Sequence, residues 1–305
     1  MNTNYIKSTL AKEANAKLSE IIPVEKLILG YQERFNIDIS AYFEGINEIN
    51  IYECEQTKYR FYYPFGIDGD GKFYEHLQKF DWYYMPWKWE HEKTVQLLNG
   101  NEKILEVGSG GLDFVERLSN DGFEITGLEI NEESIIKAKN LGLNVLNETV
   151  QDHAKSNYKK YDLVCSFQVL EHITEVNSFI KAQIDCLKPG GKLIICVPNN
   201  DSFIKLSNEV MLNYPPHHMG LWNKESLSSL SDLFNLKVDK VFFEPLQEYH
   251  LDWYINSNIR EKINKNTLKR IVFNKLKIKK LYTYFVKKFS KKIHGHSILM
   301  VYTKI

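Results

Sequence analysis

The sequence predicts an α/β protein in which a mostly parallel sheet is covered by helices on both faces. Between residues 103 and 199, short apolar runs alternate with segments whose apolar residues recur at helical spacing. The turns between them carry strong breakers, at Gly122, at Gly142 and at Pro189-Gly190-Gly191. Strands that alternate with helices are joined by crossovers, which pair them in parallel and place helices over both faces.

Seven strands and three helices are predicted in order along the chain. The strands are short runs of β-branched and other apolar residues, namely Lys103–Val107, Glu124–Leu128, Asn144–Leu146, Asp162–Phe167, Lys192–Val197, Leu236–Phe243 and Ser297–Tyr302. The helices carry apolar residues three and four positions apart, in Leu112–Ser119, Glu132–Lys139 and Val176–Leu187.

The flanking segments are predicted to be lobes on this sheet, because no Pro-, Ser- or Gly-rich linker and no internal repeat separates them. Residues 1–100 are expected to form a helical and aromatic cap, since Met1–Phe35 looks helical and Phe73–Leu98 is rich in tryptophan and tyrosine. Residues 101–200 form the core. Residues 201–305 supply loops, a helical insertion and the final strands.

Composition is that of an ordinary globular protein, with 43% hydrophobic residues, 26% charged residues and a formal net charge of zero. No apolar run is long enough to span a bilayer, and the N-terminus lacks a signal-peptide pattern. The four cysteines stand singly, which favours a reducing cytoplasm. The charge is uneven, because the segment from Arg260 to Lys292 holds many Lys and Arg and one acid, Glu261.

A glycine turn follows the first core strand, in the run Ile104-Leu105-Glu106-Val107-Gly108-Ser109-Gly110-Gly111. Glycine permits close approach of a ligand, and the helix that follows offers free N–H groups. Tight strand-to-helix turns also need glycine for steric reasons alone, so the turn by itself is weak evidence.

An acidic residue at the end of the second strand strengthens the case for a nucleoside site. Glu129 can accept hydrogen bonds from both ribose hydroxyls of a nucleoside that lies across the strand ends. A dinucleotide-binding turn would need glycine at position 113, where this chain has Asp113. Glu106 would repel phosphate, but it suits the ammonium group of a methionine moiety.

Two later segments resemble one enzyme family. The run from Tyr161 to His172 resembles the fourth strand and following loop of class I S-adenosylmethionine-dependent methyltransferases, and Leu187-Lys188-Pro189-Gly190-Gly191-Lys192-Leu193 resembles the turn before their fifth strand. The resemblance implies a seven-stranded Rossmann-like sheet, parallel except for a final antiparallel strand at Ser297–Tyr302. It also implies S-adenosylmethionine as the methyl donor and S-adenosylhomocysteine as the product.

Carried over residue by residue, the resemblance assigns the donor contacts. Glu106, Gly108 and Gly110 are expected to hold the methionine end, and Glu129 is expected to bind the ribose. Thr149 and Val150 are expected to contact the adenine. Gln168 is expected to lie in the loop beside the sulfonium. Where many members have a third glycine, this chain has Leu112. One of four nearby aromatic residues is expected to roof the sulfonium, because aromatic faces attract cations; we assign Tyr84 from the set Tyr83, Tyr84, Trp87 and Trp89.

The candidate catalytic residues are His217 and His218, which follow two prolines beyond the fifth strand. Histidine is the usual proton shuttle near neutral pH, so either one can serve as the base for an acceptor hydroxyl. A double histidine can also be a structural corner whose rings bond to backbone carbonyls.

No metal is expected at the site. Ubiquinone-type O-methyltransferases can hold a divalent metal with Glu-x-x-Glu-His, but here the first position is Gln168, before Glu171 and His172. Relatives can also carry a Cys-x-x-Cys zinc ribbon near Cys54, where this chain has Thr57 in the second position.

Four outer motifs look like a bacterial subgroup tied to methylation of surface glycans or small metabolites: Phe61–Pro64, Trp87–Glu90, Pro215–His218 and Gly295–Leu299. This favours O-methylation of a glycan, a nucleotide-linked sugar or a related small polar metabolite, as in polysaccharide biosynthesis. N-methylation of an amino sugar or metabolite and a non-catalytic donor-binding scaffold remain alternatives. Residues 200–231 are expected to supply much of the acceptor pocket.

The last prediction concerns the insertion Leu246–Ile293, between strands six and seven, whose basic stretch 266–292 has near-helical apolar spacing. It predicts a structural helix whose basic face recruits a negatively charged, phosphate-bearing acceptor, and peripheral contact with an anionic membrane is a second option. Nucleic acid is not expected, because no recognition module accompanies the lysines. The sequence leaves the oligomeric state open.

Overall fold

The computed structural model describes residues 4–207, 210–259 and 278–305. Its N-terminal part combines short strands with three helices. In chain order these are β1 (Tyr5–Lys7), β2 (Asn15–Pro23), α1 (Val24–Phe35), β3 (Glu48–Cys54), β4 (Arg60–Tyr63), α2 (Gly71–Leu77) and α3 (Trp89–Val95).

Strands and helices then alternate through the core, as the sequence predicts. The elements are β5 (Lys103–Val107), α4 (Asp113–Asn120), β6 (Glu124–Leu128), α5 (Glu132–Asn140), β7 (Val145–Leu146), α6 (Val150–Ser156), β8 (Tyr161–Phe167), α7 (Val176–Cys186) and β9 (Leu187–Pro198). Helix α6 is the one element here that the periodicity did not predict.

The described C-terminal part contains three strands and four α-helices. Its elements are β10 (Gly220–Leu221), α8 (Lys224–Ser228), α9 (Leu230–Phe234), β11 (Leu236–Pro245), α10 (Leu251–Ile259), α11 (Ile278–Phe289) and β12 (His294–Lys304). Of the predicted basic stretch 266–292, residues 266–277 lie outside the described residues.

The central sheet has seven strands in the order β11-β12-β9-β8-β5-β6-β7. Strand β12 is antiparallel to both of its neighbours, and the β9-β8-β5-β6-β7 pairs are parallel. The predicted sheet, with its single antiparallel final strand, is therefore confirmed. Glu106 on β5 lies beside Gly127 on β6 and Cys165 on β8, so the strands end at one edge and bring their following loops together.

The prediction of a helix throughout Met1–Phe35 is wrong for residues 5–7 and 15–23, which form strands β1 and β2; residues 1–3 lie outside the described part. The strands belong to an antiparallel sheet in the order β1-β2-β3-β4-β10. Strand β2 contains alanine, lysine, leucine and glutamate, which favour helix intrinsically, but pairing with β3 along its length overrides that preference. The cap is therefore a small sheet with helices.

The cap and the core share apolar contacts. Strand β10, which follows the core in the chain, pairs with β4 of the cap. The rings of Tyr59 in the cap and Trp222 after β10 lie 4.2 Å apart, and both side chains are fully buried. The loop before β10 is thus fixed between the two sheets, and that loop carries the candidate histidines.

Candidate active site

The glycine turn after β5 has the backbone geometry that only glycine adopts readily. Gly108 has φ 80° and Gly110 has φ 42°. A Cβ on Gly108 would lie 2.5 Å from Val169 Cγ2, and a Cβ on Gly110 would lie 3.1 Å from Tyr84 Cε1. Both positions are therefore closed to a side chain, as in a turn against which a ligand packs.

Leu112, at the position of the missing third glycine, adopts a left-handed conformation with φ 74°. A residue with a Cβ pays about 1–2 kcal/mol for this conformation. Complete burial of the leucine side chain offsets this strain. Helix α4 therefore begins at Asp113 in spite of the substitution.

Glu129 is held in place by three backbone N–H groups at the sheet edge. Its Oε2 accepts from Gly110 N at 2.7 Å, and its Oε1 accepts from Ile130 N at 2.7 Å and Asn131 N at 2.8 Å. A carboxylate offers about four acceptor sites, so Oε2 keeps one for a ribose hydroxyl. The same side chain thus fixes the glycine turn and faces the predicted nucleoside.

Glu106 is buried at the end of β5, and its Oε2 has no hydrogen-bond partner among the described residues. Burial raises its pKa to about 8; the Ser109 hydroxyl opposes this rise, and the nearby carboxylates of Glu129 and Asp113 add to it. A buried carboxyl oxygen without a partner is costly unless a ligand satisfies it. The ammonium group of a methionine moiety fits this requirement.

Donor binding is therefore expected to release a proton from Glu106. At pH 7 the free protein holds this carboxyl group protonated, and an ammonium group favours the ionised form, so affinity should rise with pH up to about 8. The expected slope is up to about tenfold in affinity per pH unit, the limit for one proton.

Calorimetry of S-adenosylhomocysteine binding in buffers of different ionisation enthalpy counts the protons released. Glu106→Gln should abolish the slope and exposed Glu132→Gln should keep it; an unchanged slope in Glu106→Gln would refute the assignment.

Thr149 and Val150, predicted to contact adenine, lie at the start of helix α6. Thr149 Oγ1 accepts from Asp152 N at 3.2 Å and so caps the helix, and the Val150 side chain is buried in the core. Both side chains therefore have structural roles, and a contact with adenine through this backbone stays a prediction.

Gln168 and Tyr84 have different neighbours at the site. Gln168 Nε2 donates to Glu90 Oε1 at 3.3 Å and to Ser297 Oγ at 3.2 Å, so its amide is bonded to the strand and helix beside the turn. Tyr84 is the aromatic residue whose ring packs on the turn, near Gly110 and Gly111. Tyr84 thus lies where the predicted roof of the donor site should be.

The two candidate histidines have different hydrogen bonds. The Nδ1–H of His217 donates to Leu212 O at 2.8 Å, and its Nε2 accepts from the Tyr83 hydroxyl at 2.9 Å. Burial keeps the pKa of Tyr83 well above its ordinary value, so that hydroxyl remains a donor. Both ring nitrogens of His217 are therefore occupied.

His218 keeps one ring nitrogen free. Its Nδ1 lies 3.1 Å from Asn213 Oδ1, and Asn213 Nδ2 in turn donates to Asn200 Oδ1 at 2.8 Å. Asn200 Nδ2 donates to Trp222 O at 3.0 Å, so this chain of amides fixes Asn213 Oδ1 as an acceptor. The His218 proton therefore resides on Nδ1, and Nε2, with no partner in the described part of the chain, presents a lone pair.

Burial lowers the pKa of His218 well below its ordinary value, and His217, His172 and His296 lower it further. The ring is consequently neutral throughout the physiological pH range. His218 therefore offers an uncharged ring with an available lone pair for a proton, whereas His217 has the contacts of a positioning residue.

His172 completes a group of three histidines, with one ring nitrogen from each within 4.8 Å of the others. Such a group can hold a metal ion, but here the Nδ1 of His172 lies 2.6 Å from His217 O, and both nitrogens of His217 are engaged. A metal would have to displace the Tyr83 hydroxyl. Metal independence stays our prediction.

A buried network beside the histidines was missed at the sequence level. Glu244 Oε2 accepts from the backbone N–H groups of His296 and Ser297, at 3.1 and 3.0 Å, and Gln168 links Ser297 to the buried Glu90. Burial and the charge of Glu90 raise the pKa of Glu244 to about 7. These acids come from α3 and β11, far apart in the chain, so no local motif could have joined them.

Comparison with known proteins finds a family match and related sequences. The family described as "Methyltransferase domain" matches residues 82–241, more than half of the chain. A ubiquinone biosynthesis O-methyltransferase of Serratia proteamaculans is 32% identical over 108 residues, which is 33% of this chain and 45% of that protein. The same enzyme of Vibrio atlanticus is 32% identical over 116 residues, 36% of this chain and 48% of that protein. The chain thus spans less than half the length of these relatives.

Two solved structures match the chain at low sequence identity. A SAM-dependent methyltransferase from Archaeoglobus fulgidus is 19% identical, with a TM-score of 0.49 over 77% of this chain and 95% of that one. The 1,6-didemethyltoxoflavin-N1-methyltransferase of Burkholderia thailandensis, solved with S-adenosylhomocysteine, is 11% identical, with a TM-score of 0.48 over 96% of each chain.

Proposed function

Because the chain belongs to the methyltransferase domain family, its core is that of an S-adenosylmethionine-dependent methyltransferase, and we propose that the protein O-methylates a small polar acceptor. The observation that carries this proposal is the neutral His218, whose free Nε2 can take a proton from a hydroxyl group. The names of the ubiquinone biosynthesis relatives also favour oxygen as the methylated atom.

Different residues of this chain bind the donor and accept the proton of the acceptor. When bound, the donor supplies a methyl group already activated on a cationic sulfur. Glu106, Gly108, Gly110 and Glu129 hold and orient it, and Tyr84 excludes water from the turn. His218 accepts the proton of the acceptor hydroxyl at Nε2, and Asn213 holds the imidazole in the tautomer that this requires.

The acceptor class we favour is a glycan, a nucleotide-linked sugar or a related metabolite with several hydroxyl groups. Such acceptors are recognised by carboxylates and amides, and we infer that the buried network of Glu90, Glu244 and Gln168 supplies them. The same carboxylates would suit an amine, which is why N-methylation of an amino sugar or metabolite is the second candidate.

Purified protein incubated with labelled donor and a panel of sugars, nucleotide sugars and small phenols tests the proposal. We expect label to enter a hydroxyl-bearing acceptor, with the added methyl on oxygen by mass spectrometry and with unchanged turnover in EDTA. A methyl on nitrogen would replace O-methylation by the second candidate. Tight donor binding without turnover on any acceptor would indicate a non-catalytic scaffold.

A further inference from the structure

Helix α11, in the insertion between β11 and β12, has two apolar faces, and one of them is uncovered. On the inner face, Tyr282 and the buried Val286 pack with Ile255 of α10 and with Phe203. On the outer face, Leu281, Tyr284 and Phe285 are 57%, 58% and 47% exposed. Positions i, i+3 and i+4 lie together on a helix surface, so these three side chains form a continuous stripe.

Phe289 extends the exposed surface at the end of the helix, at 45% exposure. Single exposed apolar residues are normal on globular proteins, whereas a contiguous group marks an interaction site. No other described helix carries more than one large apolar side chain with such exposure. The outer face of α11 is therefore a candidate interaction surface.

The charges around the stripe are of one sign. Between Ile278 and Lys292 the sequence has six lysines and no acidic residue. Lys287 pairs with Glu248 at 2.6 Å, and the Lys288 ammonium lies 6.0 Å from the centre of the Tyr284 ring. The exposed ends of Lys279, Lys280, Lys291 and Lys292 add to a positive field.

We propose that α11 docks the protein onto the surface of an anionic lipid bilayer. An exposed stripe of leucine and aromatic side chains flanked by lysines is the pattern of a helix that lies in the headgroup region. Aromatic residues are favoured at that depth, and each lysine near an anionic surface contributes attraction.

The described length of the helix, from Ile278 to Phe289, fits this position. Twelve residues span about 18 Å, against about 30 Å for the hydrocarbon core. No helix in the described part of the chain is long and apolar enough to cross a membrane. A second copy of the chain is a poorer occupant, because a two-fold contact through this face would bring its lysines together.

Co-sedimentation of the full-length chain with lipid vesicles tests the proposal. We expect binding to vesicles of phosphatidylcholine and phosphatidylglycerol, weaker binding at high salt, and little binding to phosphatidylcholine alone. Leu281→Glu should weaken the binding by at least about tenfold, and Lys288→Gln by about fivefold. The matched control is Leu29→Glu, at a leucine 53% exposed on α1, which should bind like the wild type.

Calorimetric binding of S-adenosylhomocysteine verifies that each variant is folded, since α11 lies outside the donor site. Equal binding to the two vesicle types, or undiminished binding of both Leu281→Glu and Lys288→Gln, would overturn the proposal. So would light scattering that shows a wild-type dimer converted to a monomer by Leu281→Glu, because the face would then be a contact between copies.

Discussion

Replacing His218 by alanine is expected to lower the turnover number by at least about 100-fold, the usual range for a general base. Donor affinity should be unchanged, because the side chain touches neither the glycine turn nor Glu129 among its described contacts. With donor and acceptor saturating, the wild-type pH profile should show no protonation of His218 above about pH 6, because the lowered pKa keeps this ring unprotonated there. Steady-state kinetics with labelled donor measure both effects.

The controls separate the base from its neighbours. His217→Ala should lower the turnover number by about tenfold or less, since a positioning residue acts only through the stacked ring of His218, 4.5 Å away. His76→Ala, on the exposed face of α2, should retain the wild-type rate. Wild-type turnover in His218→Ala would remove His218 from the mechanism, and a larger loss in His217→Ala than in His218→Ala would reverse the assignment.

Replacing Glu129 by alanine is expected to weaken donor binding by about 10- to 100-fold, the range for hydrogen bonds to a charged group. The change removes the acceptor for the ribose and leaves the N–H groups of Gly110, Ile130 and Asn131 without their partner. The glycine turn therefore loses its support as well as its ligand contact. Isothermal titration with S-adenosylhomocysteine gives the dissociation constants.

The neighbouring exposed acid Glu133 on α5 supplies the matched control. Glu133→Ala should bind the product like the wild type, because it has the same charge change and no contact with the turn. An unaltered affinity in Glu129→Ala would remove Glu129 from the donor site.

The central sheet could be predicted from the sequence because each of its strands is an apolar run bounded by turn residues. Lys103–Val107 and Glu124–Leu128 have the bounds that the pattern gave. The cap could not be predicted in the same way. Strand β2 contains alanine, lysine, leucine and glutamate, which favour helix, alongside isoleucines that favour strand. Its pairing with β3 decides the outcome, and that pairing cannot be read from local propensity.

The same limit applies to the candidate site. The glycine turn and Glu129 are close in sequence to the strands that position them, so the sequence predicts that they meet. The difference between His217 and His218 depends on contacts with Tyr83 and Asn213 that only the folded chain brings together. The network of Glu90, Gln168 and Glu244 likewise joins helix α3, the loop after β8 and strand β11.

A crystal structure with S-adenosylhomocysteine tests the central claim most directly. We expect a ribose hydroxyl within hydrogen-bond distance of Glu129 Oε2, the amino group on Glu106, and the sulfur within reach of an acceptor bound at His218 Nε2. A glycine turn without ligand density at saturating product, or product bound away from Glu106 and Glu129, would contradict the account.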